Sequence, residues 1–62
     1  MAYTILVVDD DLTIVQLLKA HLEEEGYVVL AGFDGQMALQ LAQTRKPNLI
    51  VMDVNMPMTS GV

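Results

Sequence analysis

The stretch Ile5-Leu6-Val7-Val8-Asp9-Asp10-Asp11 joins four apolar residues directly to three carboxylates. A short apolar run without polar alternation is typical of a strand that is buried on both faces, as in a parallel sheet. We therefore predict a strand over residues 4–8 whose carboxyl end carries a group of acidic side chains.

Two helices are predicted after this strand. The apolar stripe of the first helix consists of Ile14, Leu17, Leu18 and Leu22. Asp10 or Asp11 can cap its amino end, and Gly26 stands where a glycine in the left-handed conformation would end it. The apolar stripe of the second helix consists of Ala38, Leu41 and Ala42. Asp34 is its expected N-cap, and Pro47 marks its end.

Two further apolar runs, residues 27–31 and 49–52, are predicted to be the second and third strands, both of them buried. The resulting order is β-α-β-α-β with short connections. Such an order favours a parallel sheet with helices packed across its faces.

Composition excludes several classes of protein. The chain of 62 residues has a net charge of −5 and no cysteine, which excludes a disulfide scaffold and a thiolate zinc site and suits the cytoplasm. With three basic residues in all, it has no basic surface for nucleic acid, and no apolar run approaches the ~20 residues of a membrane span. We expect a single small domain over residues 1–62, of marginal stability as a compact monomer.

The acids at the strand ends predict a cation site. Asp9 and Asp10 follow the first strand, and Asp53 follows the third. If the second and third strands lie on opposite sides of the first, these carboxylates converge at the switch point of the sheet, where ligands of open α/β sheets bind. Mutual repulsion would be relieved by a hard divalent ion, and Mg²⁺ prefers such oxygen ligands.

Other polar residues are expected to be structural. Asp11 and Asp34 are interpreted as helix caps, and residues 23–25, three successive glutamates, as a solvated helix surface. His21 has no ligand partner in the pattern and is interpreted as a partly exposed helical residue.

Several segments together resemble a known family. They are residues 5–11, Gly26-Tyr27, Asp34-Gly35 with Ala38-Leu39, Lys46-Pro47-Asn48-Leu49-Ile50, and Asp53-Val54-Asn55-Met56-Pro57 with Gly61. This combination resembles the receiver domain of bacterial two-component response regulators. The resemblance implies a flavodoxin-like (CheY-like) doubly wound parallel sheet, of which residues 1–62 would be the N-terminal half, ending after the loop that follows the third strand.

The resemblance also implies a function. Asp53 would be the phosphoacceptor, receiving a phosphoryl group from a sensor histidine kinase or a phosphotransfer protein. Asp9, Asp10 and Asp53, with the backbone carbonyl of Asn55, would hold Mg²⁺. The domain would be a regulatory phosphoacceptor rather than an enzyme.

The chain departs from the family pattern in its cations. Receivers carry a hydroxyl residue and a lysine on later strands that bind the phosphoryl oxygens, and this sequence has neither. Lys19, Arg45 and Lys46 are its only basic residues, and none is placed to replace that lysine. We therefore expect phosphotransfer by this chain alone to be impaired.

Two alternatives remain open at this point. One is a self-associating structural half-domain without phosphotransfer, in which the exposed edge of the third strand forms a homodimer. The other is a phosphatase similar to the haloacid dehalogenases, which also uses a carboxylate nucleophile at a strand end. That enzyme would require an acid at position 55, where this chain has Asn55.

Overall fold

The structure, a computed structural model of the chain, describes residues 3–52. Its elements follow the predicted order. They are β1 (Thr4–Val8), α1 (Leu12–Glu24), β2 (Val28–Gly32), α2 (Gly35–Arg45) and β3 (Leu49–Met52). Among these residues no helix is long and apolar enough to cross a membrane.

The three strands form one parallel sheet in the order β2-β1-β3. In the register, Val8 of β1 lies between Gly32 of β2 and Met52 of β3. The chain therefore leaves β1 toward one side of the sheet and later crosses to the other side. This arrangement confirms the predicted switch point at the carboxyl end of β1.

The central strand β1 separates two apolar layers. One layer, on the α1 face, consists of Ile5, Val7, Val15 and Val29, with Leu22 and Ala31 packed against it. The other layer, on the α2 face, consists of Leu6, Val8 and Ala38, with Leu30, Leu41 and Ala42 packed against it. Because alternate residues of a strand point to opposite faces, the uninterrupted apolar run of β1 fills both layers.

Helix α1 ends as predicted, at a glycine. Gly26 has a φ of 95°, and its N–H donates to the carbonyl oxygen of Glu23 at 3.0 Å. The next N–H, that of Tyr27, donates to the carbonyl oxygen of Leu22 at 3.2 Å. These two bonds form a Schellman motif and satisfy carbonyl groups that the helix end would leave free. Because Tyr27 belongs to this motif, β2 covers residues 28–32 rather than the predicted 27–31.

The predicted apolar stripe of α1 is partly wrong. Val15 is the buried residue of this helix, and Leu22 packs against the same layer. The side chain of Leu17 is 65% exposed, and those of Ile14 and Leu18 are also exposed. Sequence periodicity leaves the rotation of a broadly apolar helix undecided, and contact with the sheet selects the surface around Val15.

Helix α2 follows the prediction closely. Asp34 is its N-cap, Ala38 is buried, and Leu41 and Ala42 pack on the sheet. The helix is followed by Lys46, whose φ of 49° places it in the left-handed region, and then by Pro47.

The third strand forms, but the prediction that it is buried is wrong for the described residues. All four of its side chains are exposed. Within residues 3–52, β3 contacts β1 and neither helix packs against it. Each helix lies over β1 and β2. Helix α1 connects these two strands, and α2 lies in the connection from β2 to β3, which has to cross β1 in the strand order β2-β1-β3.

Candidate functional site

Three consecutive acids lie at the carboxyl end of the central strand. Asp9, Asp10 and Asp11 connect β1 to α1. This connection is at the switch point, with β2 on one side of β1 and β3 on the other. Ligands of open α/β sheets bind at such a crevice.

Asp9 is held in place by two hydrogen bonds. Its backbone N–H donates to the carbonyl oxygen of Gly32 at 3.2 Å, which extends the pairing of β1 with β2. Its Oδ1 accepts from the backbone N–H of Asp11 at 2.9 Å. Asp9 is 7% exposed, and these bonds hold its carboxylate in one position. Its second carboxylate oxygen takes no part in the hydrogen bond with Asp11.

Asp10 and Asp11 have different surroundings. Asp11 caps α1: its Oδ1 accepts from the backbone N–H of Thr13 at 2.9 Å. Asp10 is exposed to solvent. The structure thus assigns the capping to Asp11 and leaves Asp10 as an exposed carboxylate beside the fixed one of Asp9.

Asp34 follows β2 at the same edge of the sheet but serves as a cap. Its Oδ1 accepts from the backbone N–H of Met37 at 2.7 Å. The expected capping roles of Asp11 and Asp34 are therefore confirmed. His21 and the glutamates of residues 23–25 are exposed, which also agrees with the sequence-based interpretation.

Of the predicted metal ligands, the structure describes Asp9 and Asp10. Asp53 and Asn55 lie outside the described residues. Within residues 3–52, no three side chains of the acid, histidine or cysteine type come together as a metal site. The adjacent carboxylates of Asp9 and Asp10 have the oxygen chemistry that Mg²⁺ requires.

Basic side chains lie away from these acids. Lys19 is on α1, with its Nζ 3.3 Å from a carboxylate oxygen of Glu23. Arg45 ends α2 and Lys46 follows it, so both are close to the beginning of β3 and thus at the opposite edge of the sheet. As predicted, none of the three stands beside Asp9 and Asp10.

Sequence reasoning missed two groups that hold the two ends of β1. At the carboxyl end of β1, the carbonyl oxygen of Gly32 accepts from the backbone N–H of Asp9. At the beginning of β1, Oδ1 of Asn48 accepts from the backbone N–H of Thr4 at 2.8 Å. An amide residue directly before an apolar strand is the sequence signal for such a bond.

A shallow apolar groove is found at the other edge of the sheet. It is lined by Tyr3, Ile5, Leu22, Tyr27 and Leu49. The rings of Tyr3 and Tyr27 meet edge to face, with centroids 5.7 Å apart. Since the groove is remote from the acids, it is not part of the candidate site.

Comparison with known proteins agrees with this architecture. Residues 5–62 match the family model of the response regulator receiver domain. The chain is 52% identical over 58 residues to the alkaline phosphatase synthesis transcriptional regulatory protein PhoP of Bacillus subtilis (strain 168), covering 94% of this chain and 24% of that protein. It is 46% identical over 57 residues to the probable transcriptional regulator ycf27 of Cyanophora paradoxa, covering 92% of this chain and 24% of that protein.

A solved structure has the same fold. The chemotaxis response regulator CheY4 of Vibrio cholerae matches with a TM-score of 0.88 and 38% identity, over 92% of this chain and 48% of that one. The chain thus spans about half the length of that structure and about a quarter of the two relatives. The three-stranded parallel sheet and two helices are one half of a CheY-like fold. The chain belongs to the response regulator receiver domain family.

Proposed function

We propose that this chain is the phosphoacceptor half of a receiver domain, with Asp53 as the residue phosphorylated by a sensor histidine kinase or a phosphotransfer protein. Family membership supports a role in phosphorelay signalling and a regulatory rather than an enzymatic domain. The observation that carries the residue assignment is the pair of carboxylates Asp9 and Asp10 at the switch point, beside the strand that Asp53 follows in the sequence.

The register of the sheet supports the grouping of these acids. Val8 is paired with Met52, and in the sequence the next residues are Asp9 and Asp53. Asp53 thus follows β3 in the sequence as Asp9 follows β1. This position in the sequence favours Asp53 over the other acids as the third member of the group.

Asp9, Asp10, Asp53 and the backbone carbonyl of Asn55 are the proposed ligands of Mg²⁺. The two described acids have oxygen ligands suited to Mg²⁺. Asp9 uses one carboxylate oxygen for the hydrogen bond from the N–H of Asp11, which leaves its other oxygen outside that bond, and Asp10 is exposed. When bound, the ion would offset the charge of the carboxylates and of the transferred phosphoryl group.

The proposed reaction is a simple exchange of bonds. A carboxylate oxygen of Asp53 attacks phosphorus, an O–P bond forms, and the N–P bond of the phosphohistidine donor breaks with the imidazole as leaving group. Asp9 and Asp10 orient the site and do not react. Because Lys19, Arg45 and Lys46 lie away from the acidic edge, we expect slow transfer and no long-lived adduct in this chain alone. We place this function in the cytoplasm, where such kinases present their phosphoryl groups.

The experiment is a titration with Mg²⁺, with and without beryllofluoride as a phosphoryl mimic. Binding is measured from the NMR chemical shifts of the backbone amides of residues 9–11. We expect weak Mg²⁺ binding that perturbs these amides and is lost or several-fold weaker in Asp53→Asn. Asp34→Asn is the matched control, because it removes one negative charge from the same edge while keeping a capping oxygen. Equal loss of binding in both variants, or none in Asp53→Asn, would show that Asp53 is not a ligand.

The alternative function, a structural half-domain without phosphotransfer, is not favoured, because the family that the chain matches is a signalling domain. The phosphatase alternative has no support from the relatives described above. Self-association is compatible with phosphotransfer, since the exposed side chains of β3 lie along the strand rather than at its acidic end.

A further inference from the structure

The main chain of Asp9 has little freedom to move. Asp9 follows Val8, which is paired with Gly32 in the sheet, and its own N–H donates to the carbonyl oxygen of Gly32 at 3.2 Å. The residue is 7% exposed. Because β2 holds the backbone, rotation about the side-chain bonds of Asp9 is the movement that remains. Whatever restrains this rotation decides where the two carboxylate oxygens lie.

The restraint on Asp9 comes from the beginning of α1. Oδ1 of Asp9 accepts from the backbone N–H of Asp11 at 2.9 Å, and Oδ1 of Asp11 accepts from the backbone N–H of Thr13, also at 2.9 Å. The carbonyl oxygen of Asp11 accepts from the N–H of Val15 at 3.1 Å, a bond of the first helical turn. Asp11 thus holds the carboxylate of Asp9 and is itself held by the helix.

Helix α1 gives Asp11 a fixed position. Val15, one turn further along, is 1% exposed and lies in the apolar layer with Ile5 and Val7. The backbone of Asp11 is extended, with φ −96° and ψ 109°, as is usual for an N-cap residue. The capping oxygen maintains this conformation, and helix ends fray where such a cap is lost. Loss of the cap would therefore free the N–H that holds Asp9.

We propose that Asp11 is a positioning residue for Asp9. Its capping bond to α1 holds the N–H that fixes the Asp9 carboxylate, and this sets where the second oxygen of Asp9 is presented to Mg²⁺. A hydrogen bond to a carboxylate is charge-assisted and stronger than a neutral one, which suits it to this task. The inference rests on the proposed function, in which Asp9 is a ligand of Mg²⁺, and gives Asp11 itself no contact with the ion.

A different role for Asp11 would be its negative charge alone. Asp11 is exposed and adjacent to Asp10, so its charge would attract a cation whether or not it caps the helix. The two roles differ in what they expect of an amide at position 11. Asparagine loses the charge but keeps an oxygen that can accept from the N–H of Thr13, and it caps helices as well as aspartate does.

The Mg²⁺ affinities of three variants separate these roles, measured from the amide chemical shifts of residues 9 and 10. Asp11→Asn should bind nearly as the parent does. Asp11→Gly should bind about tenfold more weakly, as is typical when an outer hydrogen bond of a metal ligand is lost. Glycine is chosen because it costs a helix start little stability, so the variant stays folded.

Asp34→Gly is the matched control. It removes the same charge and the same kind of cap at the same edge of the sheet, but the hydrogen bond that it removes is to Met37 of α2. We expect it to bind Mg²⁺ nearly as the parent does. Equal weakening by Asp34→Gly and Asp11→Gly would overturn the proposal, since the loss would then be a general effect of cap or charge.

A second measurement requires no metal. The vicinal couplings across the Cα–Cβ bond of Asp9 report its rotamer. They should show one rotamer in the parent and in Asp11→Asn, and averaging between rotamers in Asp11→Gly. A single rotamer that persists in Asp11→Gly, or Mg²⁺ binding that is equally weak in Asp11→Asn and Asp11→Gly, would overturn the proposal. Mg²⁺ binding that is weakened by Asp11→Gly but unaffected by Asp53→Asn would support this inference while contradicting the proposed function.

Discussion

Asn48 and Thr4 are joined by two reciprocal hydrogen bonds at the beginning of β1 and β3. The backbone N–H of Thr4 donates to Oδ1 of Asn48 at 2.8 Å, and the backbone N–H of Asn48 donates to the carbonyl oxygen of Thr4, also at 2.8 Å. Since neither helix covers β3, this pair and the ladder with β1 hold the strand in place.

The side-chain half of this pair can be tested by substitution at position 48. Asn48→Ala removes the acceptor and is expected to lower the free energy of unfolding by about 1 kcal/mol, the usual net value of one such bond. Asn48→Asp keeps an oxygen acceptor and should be close to the parent. Urea unfolding followed by circular dichroism measures both, and equal destabilisation by the two substitutions would refute the role of Oδ1.

Asp9 is expected to have separable structural and ionic roles. Asp9→Asn retains an oxygen that can accept from the N–H of Asp11, so we expect near-parent stability together with weaker Mg²⁺ binding. Asp9→Ala removes the bond as well and should cost about 1–3 kcal/mol, because a part-buried N–H loses its partner. The measurements are urea unfolding and the Mg²⁺ titration described above. Unchanged Mg²⁺ binding in Asp9→Asn would remove Asp9 from the ligand set.

Replacing Gly26 or Gly32 by alanine should have different effects on stability. Gly26 has a φ of 95°, and an added Cβ would meet no atom within 4 Å, so Gly26→Ala is expected to cost about 1–2 kcal/mol for backbone conformation alone. At Gly32 an added Cβ would meet the Cα of Ala38 at 3.5 Å, an ordinary contact. Gly32→Ala should therefore change the free energy of unfolding by less than about 1 kcal/mol. Thermal unfolding of both variants ranks them, and the reverse order would contradict the conformational argument.

A buried and an exposed leucine should differ in their contribution to stability. Leu6 is 0% exposed and Leu17 is 65% exposed. Leu6→Ala should cost about 2–5 kcal/mol through the lost burial and the cavity, which would unfold a domain of this size, since small domains are only marginally stable. Leu17→Ala should stay within about 0.5 kcal/mol of the parent. Far-ultraviolet circular dichroism of the two variants at equal concentration is the measurement. A folded Leu6→Ala protein would show that β1 is not the centre of the core.

Local chemistry in the sequence was sufficient to predict the elements. The uninterrupted apolar run of residues 5–8 indicates a strand buried on both faces, and Asp34 and Gly26 mark helix ends through the hydrogen bonds that such residues favour there. The acids after β1 likewise follow from the sequence. Asp53 and Asn55 remain predictions, since they lie outside the described residues.

Tertiary structure decided which apolar surfaces are covered. Helical spacing alone could not fix the rotation of α1, because its apolar residues cover a broad surface, and packing against Ile5, Val7 and Val29 selected Val15 as the buried residue. The same holds for β3, whose sequence is as apolar as that of β1 but which stands at an edge without helix cover among residues 3–52. Sequence determines what each segment can bury, whereas burial itself depends on which neighbours the strand order β2-β1-β3 provides.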